Sequence, residues 1–524
     1  MKLSTKKILI TLSIIFLFAC SQQAQYVEPS TSNKEALKKP NILVILADDL
    51  GSGDVSYFNR NILRKPSTVE TPAIDSLAER GIWFNNGHSA TALCAPTRYA
   101  VLSGNNNYRS YAPWGVWNTF RPNAIKDTDM TLANAVKPQG YRTGFIGKWH
   151  LGGDFAEKGT NKVYRGTDYK EQNKIDLTKM IGGGPNNLGF DYSYMLPTGI
   201  QGPIYLAYEN QIWHPLHKDS KIKYLDENTA IEPKIVSDKG PGMGDSHWDT
   251  RKMGDILSQK AVNFITQKAS NEPFFLYYAT PMVHIPHMPP AKFDGEKVAG
   301  STPSAHLDMI KELDLQINRI LNALKQSGQY DNTLVVLVSD NGGLLKKGSI
   351  QAGHKTSGIY RGSKNLPYEG GHRTPYIISW PAKIKSGQIS DEAVVVQDIL
   401  ATIAAASGRQ LNAEEAPDSN NLLPLVTNQE QFFSRNQMFL QGGSKTQAIY
   451  VKNNWKLILQ SNYKLNKFEP IALFDLSNNI RELESGNLVN TLTDRVERMR
   501  EEYLTIRESK QPTAPKYLSS IDKH

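Results

Sequence analysis

Two runs in this chain leave little freedom in how it folds. Asn41 to Ala47 (NILVILA) and Thr333 to Val338 (TLVVLV) are almost wholly apolar, with no polar alternation. A strand with one wet face alternates. A strand without alternation must be covered on both faces, as in a parallel sheet with helices above and below. Both runs end on side-chain oxygens: Asp48-Asp49 after the first, Ser339-Asp340-Asn341 after the second. Tyr141 to Lys148, Pro273 to Ala279 and Pro375 to Trp380 predict three further strands. A helix is predicted near 131 to 137. Another is predicted from the helical spacing of Ile310, Leu313, Ile317, Ile320, Leu321 and Leu324, with Gly328 placed to stop it. Strands alternating with helices predict an α/β fold, its sheet sandwiched between helices.

The pattern changes after residue 425. Ile449 to Val451 and Lys456 to Leu459 flank Asn453-Asn454, a hairpin signal, and residues 491 to 508 follow as an amphipathic helix. At 524 residues the chain is too long for one core. Residues 40 to 425 therefore read as a large N-terminal domain. Residues 426 to 524 read as a smaller C-terminal α+β subdomain built on a short antiparallel sheet. Upstream, Lys2, Lys6 and Lys7 precede a short apolar stretch from Ile8 to Ala19, the layout of an export signal over residues 1 to 20. Leu17-Phe18-Ala19-Cys20 resembles the bacterial lipobox, which implies cleavage before Cys20 and its lipidation. An ordinary secretory cleavage nearby is the alternative. Residues 21 to 39 read as a flexible tether. The expectation is an exported, periplasm-facing lipoprotein of a bacterial cell envelope, touching the membrane only through its lipid anchor.

Two cysteines exclude a disulfide scaffold or a cysteine-based zinc site. The net charge falls from +9 to +6 once the three signal lysines are set aside, and no Lys/Arg tract is interleaved with aromatics. Nucleic acid is thus not an expected partner. Ligands of α/β sheets gather at the carboxyl ends of strands. Asp48, Asp49, Asp340 and Asn341 stand there, and four hard oxygens suit Ca²⁺ or Mg²⁺ better than zinc. The competing reading is that these residues cap helices.

Further segments, taken in chain order, narrow the choice. They are Ala47-Asp48-Asp49-Leu50-Gly51; Cys94-Ala95-Pro96-Thr97-Arg98 with Leu102-Ser103-Gly104; and Gly140-Tyr141-Arg142-Thr143-Gly144-Phe145-Ile146-Gly147-Lys148-Trp149-His150. Ser339-Asp340-Asn341-Gly342-Gly343 follows, then Lys364 ahead of Tyr368-Glu369-Gly370-Gly371, then Leu473-Phe474-Asp475-Leu476 with Glu482 and Asn487-Leu488. Together they resemble the type I, formylglycine-dependent sulfatases of the alkaline phosphatase superfamily, from about residue 40 to the end. Ser103 departs from the family's usual residue. The resemblance implies an alkaline-phosphatase-like sheet between helices and a catalytic domain over 40 to 425. It also implies that a separate maturase converts Cys94 to formylglycine. A serine nucleophile would be left as a stable sulfate ester, whereas a hydrated aldehyde has a second hydroxyl with which to release sulfate. Without the flanking Pro96 and Arg98, Cys94 would read as a buried structural thiol.

By the same resemblance, Asp48, Asp49, Asp340 and Asn341, with the modified Cys94, would hold one calcium ion. Arg98 would support the nucleophile and the metal site, and Lys148 and Lys364 would face sulfate oxygens. His150 would be the base that frees sulfate. His284, with Lys364, would protonate the departing alcohol. His287 would contact substrate, and a role for His372 stays open. The expected activity is hydrolysis of sulfate esters on sugar units of a sulfated polysaccharide or its oligosaccharides. Tyr205, Trp213, His214, His217, His247 and Trp248, in the loop-rich region 183 to 250, are candidates for sugar contact or for loop packing. One rival is a phosphatase or phosphodiesterase of the same superfamily, which would use Ser or Thr and two zinc ions. Another is a non-catalytic glycan-binding relative.

Overall fold

Ten strands form the main sheet: β1 (Asn41–Ala47), β2 (Gly81–Phe84), β3 (Arg142–Lys148), β4 (Tyr192–Leu196), β5 (Tyr208–Glu209), β6 (Ile212–Trp213), β7 (Phe274–Ala279), β8 (Thr333–Ser339), β9 (Tyr376–Ser379) and β10 (Gln388–Ser390). This computed structural model describes residues 39 to 516, apart from 114, 167–168, 268–271, 429–431, 444–446 and 463–465. The export signal, Cys20 and all but the last residue of the tether lie outside the described residues. The strand order is β10-β2-β9-β8-β1-β7-β3-β4-β5-β6. The central five, β8-β1-β7-β3-β4, are parallel, and Val44 of β1 pairs with Val336 on one side and Tyr277 on the other. β9 and β5 run antiparallel to their inner neighbours, so the sheet is mixed at its margins.

Period-two alternation of β1 sends Ile42, Val44 and Leu46 to one face and Leu43, Ile45 and Ala47 to the other, all fully buried. The first face packs on α2 (Cys94–Ser103), α3 (Leu132–Val136) and α6 (Asp398–Ser407). The second packs on α1 (Pro72–Glu79), α4 (Met253–Thr266) and α5 (Ala305–Gln326). Helix α5 buries the predicted leucine and isoleucine stripe, and Gly328 just beyond its end takes the left-handed φ of +69° that stops the chain.

The C-terminal strands β11 (Gln437–Gln441), β12 (Gln447–Lys452), β13 (Trp455–Asn462) and β14 (Lys467–Asp475) form an antiparallel sheet in sequential order, with α7 (Thr493–Ser509) on one face. Asn453 and Asn454 make the two-residue turn between β12 and β13, with φ of +48° and +67°. Asparagine tolerates that conformation, and such turns match the twist of paired strands. The chain from Lys39 onward, both sheets included, forms one compact unit. A buried charge cluster helps join the two sheets. Lys456 of β13 places its Nζ 2.9 Å from Glu369 Oε1 and 2.8 Å from Glu482 Oε1, and Arg373 Nε reaches Glu369 Oε2 at 2.6 Å. His372 belongs to this cluster, its two ring nitrogens bonded to Lys456 and His88. Among the described residues no helix is long and apolar enough to cross a membrane.

Candidate active site

The carboxyl ends of the central parallel strands converge. Asp48 and Asp49 leave β1, and Asp49 takes a left-handed φ of +65°. Asp340 and Asn341 leave neighbouring β8, with the Asp340 amide bonded to the Ala47 carbonyl at 3.0 Å. Lys148 ends β3, and His150 follows with φ of +58°. Left-handed backbone at a non-glycine residue costs about 1–2 kcal/mol and persists only where the surroundings impose it. Gly147 makes the turn of β3 possible: its φ is +124°, and a Cβ there would stand 2.0 Å from the Ala279 carbonyl oxygen. Cys94 begins α2 on the opposite wall and Arg98 lies one turn on, so a single helix aims both at the strand ends.

All the carboxylates here are buried and paired with cations. Arg98 Nη2 donates to Asp340 Oδ2 at 2.7 Å, and its Nη1 donates to the Lys148 carbonyl at 3.0 Å. Lys148 Nζ donates to Asp48 Oδ2 at 2.6 Å, and Lys364 Nζ sits 2.6 Å from Asp49 Oδ1. Asn341 Nδ2 donates to Asp49 Oδ1 at 2.8 Å. Burial raises the Asp48 carboxyl, but Lys148, His284 and Arg98 outweigh it and hold the group well below the usual carboxylate range. Asp340 goes the other way. Burial, then the neighbouring Asp48 charge, push it up to about 7 against the pull of Arg98.

That crowding is the signature of a cation site. Asp48, Asp49 and Asp340 each offer an oxygen within 4.8 Å of the others. Asp48 Oδ1 and Asn341 Oδ1 are buried with no hydrogen-bond partner in the protein. A buried acceptor left unpaired is costly, so two at one spot call for a ligand. The all-oxygen set fits a hard divalent cation such as Ca²⁺.

Above the carboxylates lies a cavity of about 490 Å³. It is bordered by Asp49, Cys94, His150, His284 and Lys364 on the chemical side, and by Thr198, Gln201, Asp238, Lys239 and Asn365 on the other. Burial pushes the Cys94 thiol up, against Lys148 and Lys364. The His284 Nδ1 donates to the Ile285 carbonyl at 2.7 Å, which turns Nε2 toward Asp49 Oδ2 at 3.9 Å. Burial, then Lys364 and Lys148, hold this ring down to about 3, and burial with Lys148 and Arg98 lowers His150 as well. The floor therefore presents a cysteine, the Lys364 ammonium and two neutral imidazoles above an anionic cage. The arrangement can receive a small anion, stabilise charge on it and move protons at two nitrogens.

The sulfatase family model matches residues 40 to 408 of this chain. The chain belongs to the sulfatase family. The N-acetylgalactosamine-6-O-sulfatase of Bacteroides thetaiotaomicron is 32% identical over 483 residues, covering 85% of this chain and 86% of that protein. Human N-acetylgalactosamine-6-sulfatase is 30% identical over 404 residues, covering 75% of this chain and 66% of it. A sulfatase structure from a study of glycosaminoglycan metabolism by B. thetaiotaomicron superposes with a TM-score of 0.74 at 28% identity, covering 90% of this chain and all of that one. This sulfatase is thus a hydrolase of sulfate esters with the superfamily's α/β fold and a small C-terminal antiparallel sheet.

Of the residues singled out in the sequence, Asp49, Cys94, His150, His284 and Lys364 border the sulfatase's cavity. Asp48, Arg98, Lys148, Asp340 and Asn341 lie directly beneath it. Lys148 is wholly buried against Asp48 and does not line the cavity. His287 is not brought in either: its ring packs 5.0 Å from His306 and lines a neighbouring cavity. The six aromatic and histidine residues of region 183 to 250 also stay out of the lining. Tyr205 and Trp248 are core residues packed edge to face, His217 and His247 lie against each other, and His214 pairs with Glu209. Sequence reasoning missed the cavity's outer wall, Thr198, Gln201, Asp238 and Lys239. These polar loop residues carry no spacing that distinguishes them from other loops.

Proposed function

We propose that this sulfatase removes sulfate from sugar units of a sulfated polysaccharide or its oligosaccharides. Cys94 is the precursor of formylglycine, and one calcium ion is held by Asp48, Asp49, Asp340 and Asn341. The observation that carries the reading is the cavity itself. A cysteine, a lysine and two histidines share one concave space of about 490 Å³, a size suited to a single sugar, over an oxygen cage with unpaired acceptors. The sugar substrate is supported by two relatives named for N-acetylgalactosamine 6-sulfate. That unit is accordingly the first substrate to test.

When in place, calcium would supply positive charge at the sulfate oxygens, and the aldehyde hydrate would supply the hydroxyl nucleophile. The chain's own residues do the rest. Lys364 lies beside Asp49 and faces the cavity, where it holds negative charge on the bound sulfate. Arg98 and Lys148 fix Asp340 and Asp48, which keeps the cage geometry rigid. The His284 Nε2, which takes up a proton once an anionic substrate offsets Lys364 and Lys148, gives that proton to the departing sugar oxygen, and His150 serves as base when sulfate is released. Export and lipidation at Cys20, and modification of Cys94 by a maturase, belong to the same proposal. Lipid labelling of Cys20→Ala against the parent chain tests the anchor.

The deciding experiment co-expresses the chain with a formylglycine-generating maturase and assays it on a panel of defined sulfated sugars. Peptide mass analysis should find Cys94 converted to the aldehyde, sulfate should be released from 6-sulfated N-acetylgalactosamine, and Cys94→Ala should be inert. Full activity with unmodified Cys94 defeats the formylglycine assignment. Turnover of phosphate esters alone defeats the sugar-sulfate reading.

A further inference from the structure

Beside the catalytic cavity lies a second one, of about 360 Å³, and the two share Asp238 and Ile285 as a common wall. Its other side is the first turn of α5, at Ser304, Ala305 and His306. This helix is 22 residues long. The Ser304 side chain accepts from the Leu307 amide at 3.3 Å, and its carbonyl accepts from the Asp308 amide at 2.9 Å. Among the described residues, no acceptor serves the amides of Ala305 and His306. Free amides at the positive end of a long helix favour anions.

A second observation concerns side chains, not backbone amides. His306 is only 2% exposed; its Nδ1 bonds Ser349 Oγ at 3.0 Å, and its Nε2 is buried with no partner. Lys346 and Lys234 complete the lining, and the Lys234 Nζ is anchored on the His287 carbonyl at 2.6 Å. Asp238 is the one carboxylate in the lining, so the two lysines leave an excess of positive charge. The His287 ring, packed against His306, forms part of this wall and not of the catalytic one.

We propose that this second cavity is an anion subsite, holding a sulfate or carboxylate carried by the sugar next to the one being desulfated. The proposal rests on the sugar-sulfate reading above and deepens it. Two cavities with a common wall can accept neighbouring units of one chain of sugars. The substrate class is then a polyanionic glycan, not an isolated sulfated sugar.

The test uses the matured full chain and Lys346→Gln, a substitution at a half-buried residue away from the catalytic cavity. Four probes share a 6-sulfated N-acetylgalactosamine: the monosaccharide alone, and disaccharides joining it to a neutral sugar, to a uronic acid, or to a neutral sugar bearing its own sulfate. The parent should show a KM about tenfold lower for a charged disaccharide than for the neutral one, the scale of one charge-assisted hydrogen bond. Lys346→Gln should erase that difference and leave the monosaccharide unchanged. Whichever charged probe gains identifies the anion. Equal KM values for charged and neutral disaccharides in the parent overturn the subsite, as does an equal loss on all four probes in the variant. Calorimetry with Cys94→Ala separates the two readings. If nothing turns over, the activity assignment fails, while the subsite stands or falls on whether charged disaccharides bind tighter than the neutral one. Absence of binding by any probe overturns it.

Discussion

Replacing His284 with alanine removes one nitrogen from the cavity and leaves Cys94, Lys364 and the carboxylate cage in place. A carbonyl oxygen can only accept, so the 2.7 Å contact with Ile285 fixes the proton on Nδ1 and leaves Nε2 as the group that titrates. In the free site the ring is held down to about 3 by burial, then by Lys364 and Lys148. An anionic substrate opposes both lysines and draws the ring toward protonation. Lys364 is a poor substitute donor. Asp49, 2.6 Å away, outweighs burial and raises the ammonium's pKa, so its proton is tightly held. The full general-acid contribution should therefore be lost. On a sugar sulfate, whose leaving alcohol is a strong base, this means about 10²–10⁴-fold in kcat/KM, or about 3–5 kcal/mol of barrier. On nitrophenyl sulfate, whose phenolate leaves unaided, the loss should be about tenfold or less. Steady-state rates of both proteins on both substrates, read as released sulfate and as nitrophenolate, give the comparison. Equal losses on the two substrates, with chemistry rate-limiting, would refute the acid role.

Other perturbations have equally definite outcomes. Lys456→Met strands Glu482 in a dry joint and leaves Glu369 with Arg373 alone, and should destabilise the fold by about 3–5 kcal/mol. Adding Glu482→Gln should recover part of that loss, and urea denaturation of the parent, single and double variants measures both. Among the described residues the fully buried Glu312 accepts only from Gln316, and burial pushes it up to about 8. Its proton is then kept in the folded chain and lost in the unfolded one, so stability should fall by about 1.4 kcal/mol per pH unit from the usual glutamate range up to about 8. Glu312→Gln should remove that slope, and a variant parallel to the parent across a pH series of unfolding curves would contradict the assignment. Chelation should lower both melting temperature and activity, with calcium restoring the two together. Restoration by zinc alone would reverse the metal assignment.

The inner strands were legible because burial on both faces writes itself as unbroken apolar sequence. β1 and β8 could be read almost to the residue, and β3, β7 and β9 to within a residue or two. The outer strands were not legible. β5 and β6 are two residues each and β10 is three, too short for any period to register, and tertiary pairing alone makes them strands. The convergence of the candidate site residues was legible for a related reason. Strand ends in a parallel sheet must converge, so Asp48, Lys148 and Asp340 meet however the loops run. The cavity's outer wall has no such constraint. Tyr205 and Trp248 had the right side chains for a sugar platform, yet their rings are spent on the core, while Gln201 and Asp238 reach the cavity from the same loops.

The signature segments themselves divide into two kinds, and position in the fold separates them. Lys364 turns into the cavity. Glu369, five residues on, turns away, and its amide is bonded to Glu482 beside Lys456. Glu482 comes from the closing segment of the chain and lies outside the cavity lining. It holds the second sheet against the loop that presents Lys364. A charged residue in a signature is therefore evidence of constraint, and only its surroundings show whether the constraint is catalytic. By that measure Lys148 occupies the middle ground: its ammonium is within hydrogen-bonding reach of a cage carboxylate and excluded from the cavity. Its side-chain partner among the described residues is Asp48, so Lys148→Met should weaken cation binding along with turnover, whereas Lys364→Met should weaken turnover first.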